Sequence, residues 1–201
     1  MDFNFTETQS MLRDTLGRYL ADNYDFDKRQ AMLARDGGRD PGQWKALATE
    51  LGILGAALPE QYGGFGGGPI DSMVLMEELG RAIAVEPYIP IVVIGAGALV
   101  ATGGEHAETL VPAIIGGEAI IGAGFYEPQG RYNLADLKTT AKADGSGWTL
   151  NGHKAVVLAA PYATHLLVTA RYSRTRNRSS AEVFDYTRDL FGLSVRVGLG
   201  G

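Results

Sequence analysis

Cysteine is absent from the 201 residues. That excludes disulfide scaffolds, thiolate nucleophiles and Cys-ligated metal centres. Long apolar runs are absent as well. The longest, Ile89 to Val100, is about 12 residues, contains Pro90, Gly95 and Gly97, and is too short to span a bilayer. The N-terminus, MDFNFTETQS, is acidic and polar rather than basic and then apolar, so it does not read as a signal sequence. A soluble, cytoplasmic protein with no membrane partner is expected. Histidine is scarce: His106, His153 and His165 have no second ligand at metal-site spacing, and no metal is expected. No G-x-S-x-G occurs, so a hydrolase triad has no anchor.

What is present is globular. Apolar residues at 45% and charged residues at 20% exclude the disordered class. The 28 glycines follow no G-X-Y period, which places them in turns and close backbone contacts. Charge is divided unevenly within the net −5: residues 1–117 carry a net −8 and residues 118–201 a net +3. This predicts two domains, 1–117 and 118–201.

The first reads as helices. Thr6 with Gln9 fits a capping box, and Leu12, Leu16, Tyr19 and Leu20 then share one face. A second helix is expected over 25–34. Asp40-Pro41 opens a third, with Trp44, Leu47, Ala48 and Leu51 as its buried stripe and Gly52 just past its end. A fourth begins near Asp71, with Met73, Met76 and Gly80 on one side, Leu75 and Leu79 widening the apolar face, and Glu77, Glu78 and Arg81 outside. A fifth runs over 90–102. A sixth runs over 105–115, burying Leu110, Val111, Ile114 and Ile115 and stopping at Gly116-Gly117.

After Gly117 the segments 137–143, 148–152, 155–160 and 165–171 read as short strands, with DGSGW and NGHK as turns. Helices followed by strands, without alternation, predict an α+β chain: an all-α part, then a small antiparallel β-barrel-like part. Two glycine clusters require weighing. GGFGGG (63–68) lacks the Lys-Ser/Thr of a phosphate loop and reads as a flexible helix–helix connection. IVVIGAGALV (91–100) resembles a dinucleotide turn, but its flanks are helical rather than βαβ. Small residues that let a buried helix pack closely are the better reading. RYSRTRNR (171–178) reads as a solvated loop, with a phosphate contact as the alternative; no nucleic-acid partner is expected.

LGILGAALPEQYGGFGG, MEELGRAIA, AGFYEPQGRYNLADLKTTAKADGSGWTLNGHKAVV and ATHLLVTAR, read together, resemble the acyl-CoA dehydrogenase family. The likeness covers about 1–172 and extends weakly through FGLSVR (191–196). It is nearest to the small-subunit type of pimeloyl-CoA (dicarboxylyl-CoA) dehydrogenases. The resemblance implies a helical domain, a middle β-domain and a C-terminal helical bundle, with FAD bound across an oligomer interface. The implied reaction is α,β-dehydrogenation of an acyl-CoA thioester, and acyl-CoA is the implied substrate.

Such chemistry needs a base at the α-proton, donors at the thioester oxygen, and a flavin against the Cα–Cβ bond. In the family the base is a glutamate of the C-terminal bundle, absent from these 201 residues, so no catalytic residue is assigned here. Glu127 matches a family glutamate that is not the base. Where many members have T-E-P-x-x-G-S-D, this chain has Tyr126 to Asn133; where they present Trp and Thr to the ring, it has Val156 and Leu158. The resemblance implies cofactor contacts at Phe125, Tyr126, Glu127, Gly130, Arg131, Tyr132, Val156 and Leu158, with Arg131 either an anion contact or a plain surface arginine. A full-length acyl-CoA dehydrogenase is the implied partner subunit, in a homo- or hetero-oligomer. A non-catalytic assembly subunit and an inactive truncated remnant remain the alternatives, since TRNRSSAEVFDYTRDL (175–190) and the terminal GLGG depart from the family's strand block.

Overall fold

The computed structural model describes residues 4–35, 38–145 and 147–172, and the backbone of a strand at 192–195. Helix α1 (Glu7–Asn23) starts at the expected capping box: Thr6 Oγ1 accepts from Gln9 N at 3.2 Å, and Gln9 Oε1 accepts from Thr6 N at 3.0 Å. Asp25 caps α2 (Phe26–Leu33) by accepting from Lys28 N, and Asp40 caps α3 (Pro41–Thr49) by accepting from Gly42 N. Each cap satisfies a backbone N–H that the first helical turn would otherwise leave open.

Helix α4 (Pro69–Arg81) begins two residues before Asp71, which instead accepts from Gly68 N at 2.8 Å. Its buried face is Val74, Leu75, Glu78 and Leu79, not one containing Met73, which is 47% exposed. The expectation fails at Glu78 because its charge has partners. Arg13 and Arg81 lie 3.9 and 3.4 Å from its Oε1, so a carboxylate can enter the seam between α1 and α4.

The fifth helix is two elements. Ile89–Ala96 is a π-helix, and α5 (Gly97–Thr102) continues it. No dinucleotide turn forms. Gly95 sits where a Cβ would come within 3.0 Å of Ile121 Cβ, so the small residue does permit close packing against the next strand. Helix α6 (Glu105–Ile115) follows the expected bounds and buries Ala107, Leu110, Val111 and Ile114.

The GGFGGG segment is ordered backbone rather than a loose link. Phe65, Gly66 and Gly67 donate their N–H groups to the carbonyls of Gly55, Leu58 and Ala56. A Cβ on Gly64 or Gly67 would collide with the Leu58 or Ala56 carbonyl.

Five short strands follow: β1 (Ile121–Gly124), β2 (Thr140–Asp144), β3 (Gly147–Asn151), β4 (His165–Thr169) and β5 (Gly192–Val195). They form a three-stranded sheet, β1-β4-β5, and a separate β2–β3 hairpin. β1 and β4 run parallel, with Ile121 opposite His165, so the wholly antiparallel arrangement expected is corrected. The two sheets are linked where Arg171 N donates to Thr139 O and Ala141 N donates to Arg171 O. Among the described residues no barrel closes. AVVLAA (155–160) is not a strand: Val156 and Ala159 have φ of 54° and 64°, which break an extended run. Most of RYSRTRNR, TRNRSSAEVFDYTRDL and GLGG lie outside the described residues.

One apolar core serves both regions. Leu16, Leu47, Leu54, Leu75 and Val111 belong to the same buried cluster as Ile121, Ala159 and Leu167. The β1–β4 sheet is therefore anchored on the helices, and the loops leaving its ends inherit a rigid base.

Candidate functional site

The two loop segments singled out by sequence meet over β1. Residues 125–139 leave its C-terminal end, and residues 154–163 run back along it from Gly124 past Gly122 toward the start of the parallel strand β4. Glycines in β1 let that second segment lie close on the strand. A Cβ on Gly122 would come 3.3 Å from Val157 Cγ1, and one on Gly124 would come 3.5 Å from Lys154 Cγ. The backbone then joins them, Ala155 N donating to Tyr126 O at 3.0 Å.

Glu127 is the electrostatic centre, 4% exposed. Its Oε1 accepts from Lys154 Nζ at 2.8 Å and from Thr139 N at 3.0 Å; its Oε2 accepts from Gln129 Nε2 and Lys138 N, each at 2.7 Å. A carboxylate offers about four lone-pair sites, and here all are taken. Burial on its own pushes this carboxyl up, but the Lys154 ammonium and the Thr139, Gln129 and Lys138 donors outweigh it and hold the group far below its ordinary range. Glu127 is thus an ionised tether at neutral pH, its lone pairs already committed to donors. Lys154 Nζ also donates to Thr169 Oγ1 at 3.0 Å, tying the same cluster to β4.

The structure sorts the sequence-derived residues. Phe125 is half-buried and packs on the core. Tyr126, Val156 and Leu158 are 42%, 73% and 54% exposed, and the bond from Ala155 N to Tyr126 O brings their two segments together. Glu127 and Gly130 are buried. Gly130 closes its own turn: its N donates to Glu127 O at 3.0 Å, its O accepts from Asn133 N at 2.7 Å, and a Cβ there would come 2.9 Å from Asn133 O. Its lack of a side chain serves that turn. Arg131, with φ of 47°, and Tyr132, 96% exposed, stand on the same turn facing solvent.

Sequence reasoning missed Lys154, Gln129, Thr139 and Thr169. They are spread over 40 positions and meet only through the sheet, so no local spacing marks them. The one readable signal is the pair of glycines in IIGAG, two residues apart on one face of a strand. Among the described residues, no group of three or more metal-ligating side chains forms. His106 and His153 are exposed, and His165 Nδ1 lies 2.9 Å from Thr164 Oγ1. No described helix is long and apolar enough to cross a membrane.

Comparison with known proteins sharpens this. The family model described as acyl-CoA dehydrogenase, N-terminal domain, matches residues 6–118, and the one described as acyl-CoA dehydrogenase, middle domain, matches residues 122–198. Acyl-CoA dehydrogenase FadE29 of Mycobacterium tuberculosis is 30% identical over 175 residues, which is 85% of this chain and 44% of that protein. The ChsE4-ChsE5 complex from Mycobacterium tuberculosis matches with a TM-score of 0.74 at 26% identity, over 86% of this chain and 44% of the other. The Tcur3481-Tcur3483 steroid ACAD matches with a TM-score of 0.72 at 25% identity, over 94% and 49%. The chain spans about half the length of these relatives.

Proposed function

Because the chain belongs to the acyl-CoA dehydrogenase family, we propose that it is a flavoprotein subunit acting in α,β-dehydrogenation of an acyl-CoA thioester. Family members are oxidoreductases. The finer reading, toward the small-subunit type of dicarboxylyl-CoA dehydrogenases, is part of the proposal. So is the division at Gly117 into a helical and a β-domain.

The observation that carries it is the joined loop face. Tyr126, Val156 and Leu158 are exposed on two segments tied to each other by the Ala155–Tyr126 bond and to the sheet by the saturated Glu127–Lys154 cluster. That combination suits one side of a flat, mostly apolar ring system: the wall excludes water, and the buried ion pair keeps it from moving. FAD would supply the redox chemistry there. Val156 and Leu158 contribute aliphatic surface and no hydrogen bond, so on this side polar recognition falls to the Tyr126 hydroxyl and loop backbone. Arg131 and Tyr132 are proposed contacts for the anionic part of the cofactor; Phe125, Glu127 and Gly130 support the face from beneath.

A second reading has its own support. The segment lacks both an aromatic cover and a hydroxyl at Val156 and Leu158. A non-catalytic subunit that completes the assembly of a full-length dehydrogenase accommodates both absences. Two of the similar structures are themselves complexes named for two proteins.

Titration of the purified chain with FAD distinguishes the readings. Quenching of flavin fluorescence with a bound-flavin absorption band is expected for the first. No uptake, together with co-purification with a full-length acyl-CoA dehydrogenase whose turnover rises on mixing, replaces it with the second.

A further inference from the structure

Four non-glycine residues among those described have left-handed backbone: Ile83, Arg131, Val156 and Ala159. Three of the four lie in the two loops of the candidate site. Of those three, Val156 is the most constrained, because it alone is β-branched, and at φ of 54° such a side chain crowds its own backbone. With 73% of it exposed, its own packing cannot impose that conformation. The neighbours do. Ala155 N is held by Tyr126 O at 3.0 Å, and Lys154, its side chain 10% exposed, bridges Glu127 Oε1 at 2.8 Å and Thr169 Oγ1 at 3.0 Å. On the far side, Tyr162 N donates to Ala159 O at 3.2 Å, and the Arg39 guanidinium lies 4.3 Å from the Tyr162 ring centroid. Clamped at both ends, the segment must turn within itself, and Val156 takes the turn.

We propose that Lys154 is the positioning residue of this face. Its ion pair with Glu127 and its bond to Thr169 hold residues 153–158 against the ends of β1 and β4. That hold keeps Val156 left-handed, so that Val156 and Leu158 present one outward wall. Glu127 acts with it, as the fixed anion that locates the ammonium. The inference rests on the reading that the wall meets a cofactor ring, but the hold itself operates without any ligand.

Amide hydrogen exchange on the full chain without FAD tests it. Lys154→Met alone would strand a buried carboxylate and risk unfolding. The variant is therefore E127Q/K154M, which removes both charges together; its one amide oxygen keeps either the Lys138 or the Thr139 backbone N–H, since these reach different carboxylate oxygens, and both bonds lie outside residues 153–160. Exchange across residues 153–160 rises about tenfold or more, the scale set by releasing one strained residue, while α1 and α6 keep their protection. Adding Val156→Gly to that pair returns exchange to within about threefold of Val156→Gly alone, because glycine occupies the left-handed region unaided. An ion pair that merely supports the fold would not be suppressed in this way. No rise in E127Q/K154M, or a rise that Val156→Gly leaves untouched, overturns the proposal. Should E127Q/K154M lose protection everywhere, Val156→Gly alone decides: exchange across 153–160 within about threefold of the parent upholds imposed strain, and a larger rise refutes it. FAD titration is the separate arm. Uptake by the parent chain and weaker uptake by E127Q/K154M supports both ideas; no uptake with the exchange pattern intact removes the cofactor reading and leaves the positioning role standing.

Discussion

Glu86 and Glu127 are two glutamates at nearly equal depth, 8% and 4% exposed, one in the helical region and one in the β region. Glu86 accepts from the Tyr24 hydroxyl, 2.6 Å from its Oε2, with the Glu86 and Val85 backbone N–H groups nearby, while its Oε1 has no hydrogen-bond partner among the described residues. Burial, with Asp40 adding to it and the Tyr24 bond opposing it, pushes this carboxyl upward. Glu127 has four donors, one of them an ammonium, and is pushed the other way. Depth alone does not decide whether a carboxyl is charged; the number and charge of its donors do. The helical region tolerates an acid whose charge burial disfavours, and the β region commits four donors to keep one ionised beside the candidate site.

Removing the better-supplied carboxylate should cost most. Glu127→Ala leaves the Lys154 ammonium buried with Thr169 alone, and a loss of about 3–5 kcal/mol is expected in urea unfolding. A loss below about 1 kcal/mol would erase the distinction between the two sites. Next comes Tyr24→Phe, which takes the hydroxyl donor from Glu86 and the acceptor from Val85 N at 2.9 Å. About 2 kcal/mol should go, visible as a lower urea midpoint.

The two acids should also answer pH in opposite directions. The Glu127 contribution is present above the ordinary carboxyl value of 4.5 and is lost as pH falls below it, because the folded state resists the proton that the unfolded chain accepts. The Glu86 contribution is present below 4.5 and is lost as pH rises through its elevated folded value. Unfolding midpoints of Glu127→Gln and Glu86→Gln across about pH 3 to 8 check this: the first should flatten the acid limb and the second the rise-with-acid component. The smallest effect is Glu86→Gln near neutral pH, where loss of an ill-supplied charge should change stability by less than about 1 kcal/mol, on the stabilising side. A large destabilisation would mean that the Glu86 charge is wanted.

The helical caps are legible in the sequence because they are local. Thr6 with Gln9 and Asp40 before Pro41 each act within three residues, and both start their helices as expected. The α4 face is misread because Glu78 is buried by arginines, and Arg13 lies 65 positions away. Strand β1 escapes notice since IGAG carries neither alternation nor a run of branched side chains, and its partner β4 lies more than forty residues on. Segment 155–160 fails in the opposite sense. Its Ala-Val-Val-Leu composition has strand character, while its path is dictated by Lys154 and the Tyr126 carbonyl, neither of which a propensity registers. Of the candidate site, the positions of the loops can be read from family likeness, and the cage that stiffens them cannot.

The glycine segment between the helices bears on how this scaffold could be altered. A saturation library over positions 63–68 should return a lopsided harvest. Positions 64 and 67 face carbonyl oxygens and should come back as wild type, and positions 63 and 66, at φ of 86° and 71°, should admit little beyond asparagine or aspartate. Position 68, with extended backbone and nothing within 4 Å of a new Cβ, should accept a serine or threonine that caps α4 better than glycine does. A run of five glycines broken only by Phe65 would then behave as a lock with a single free pin among its glycines.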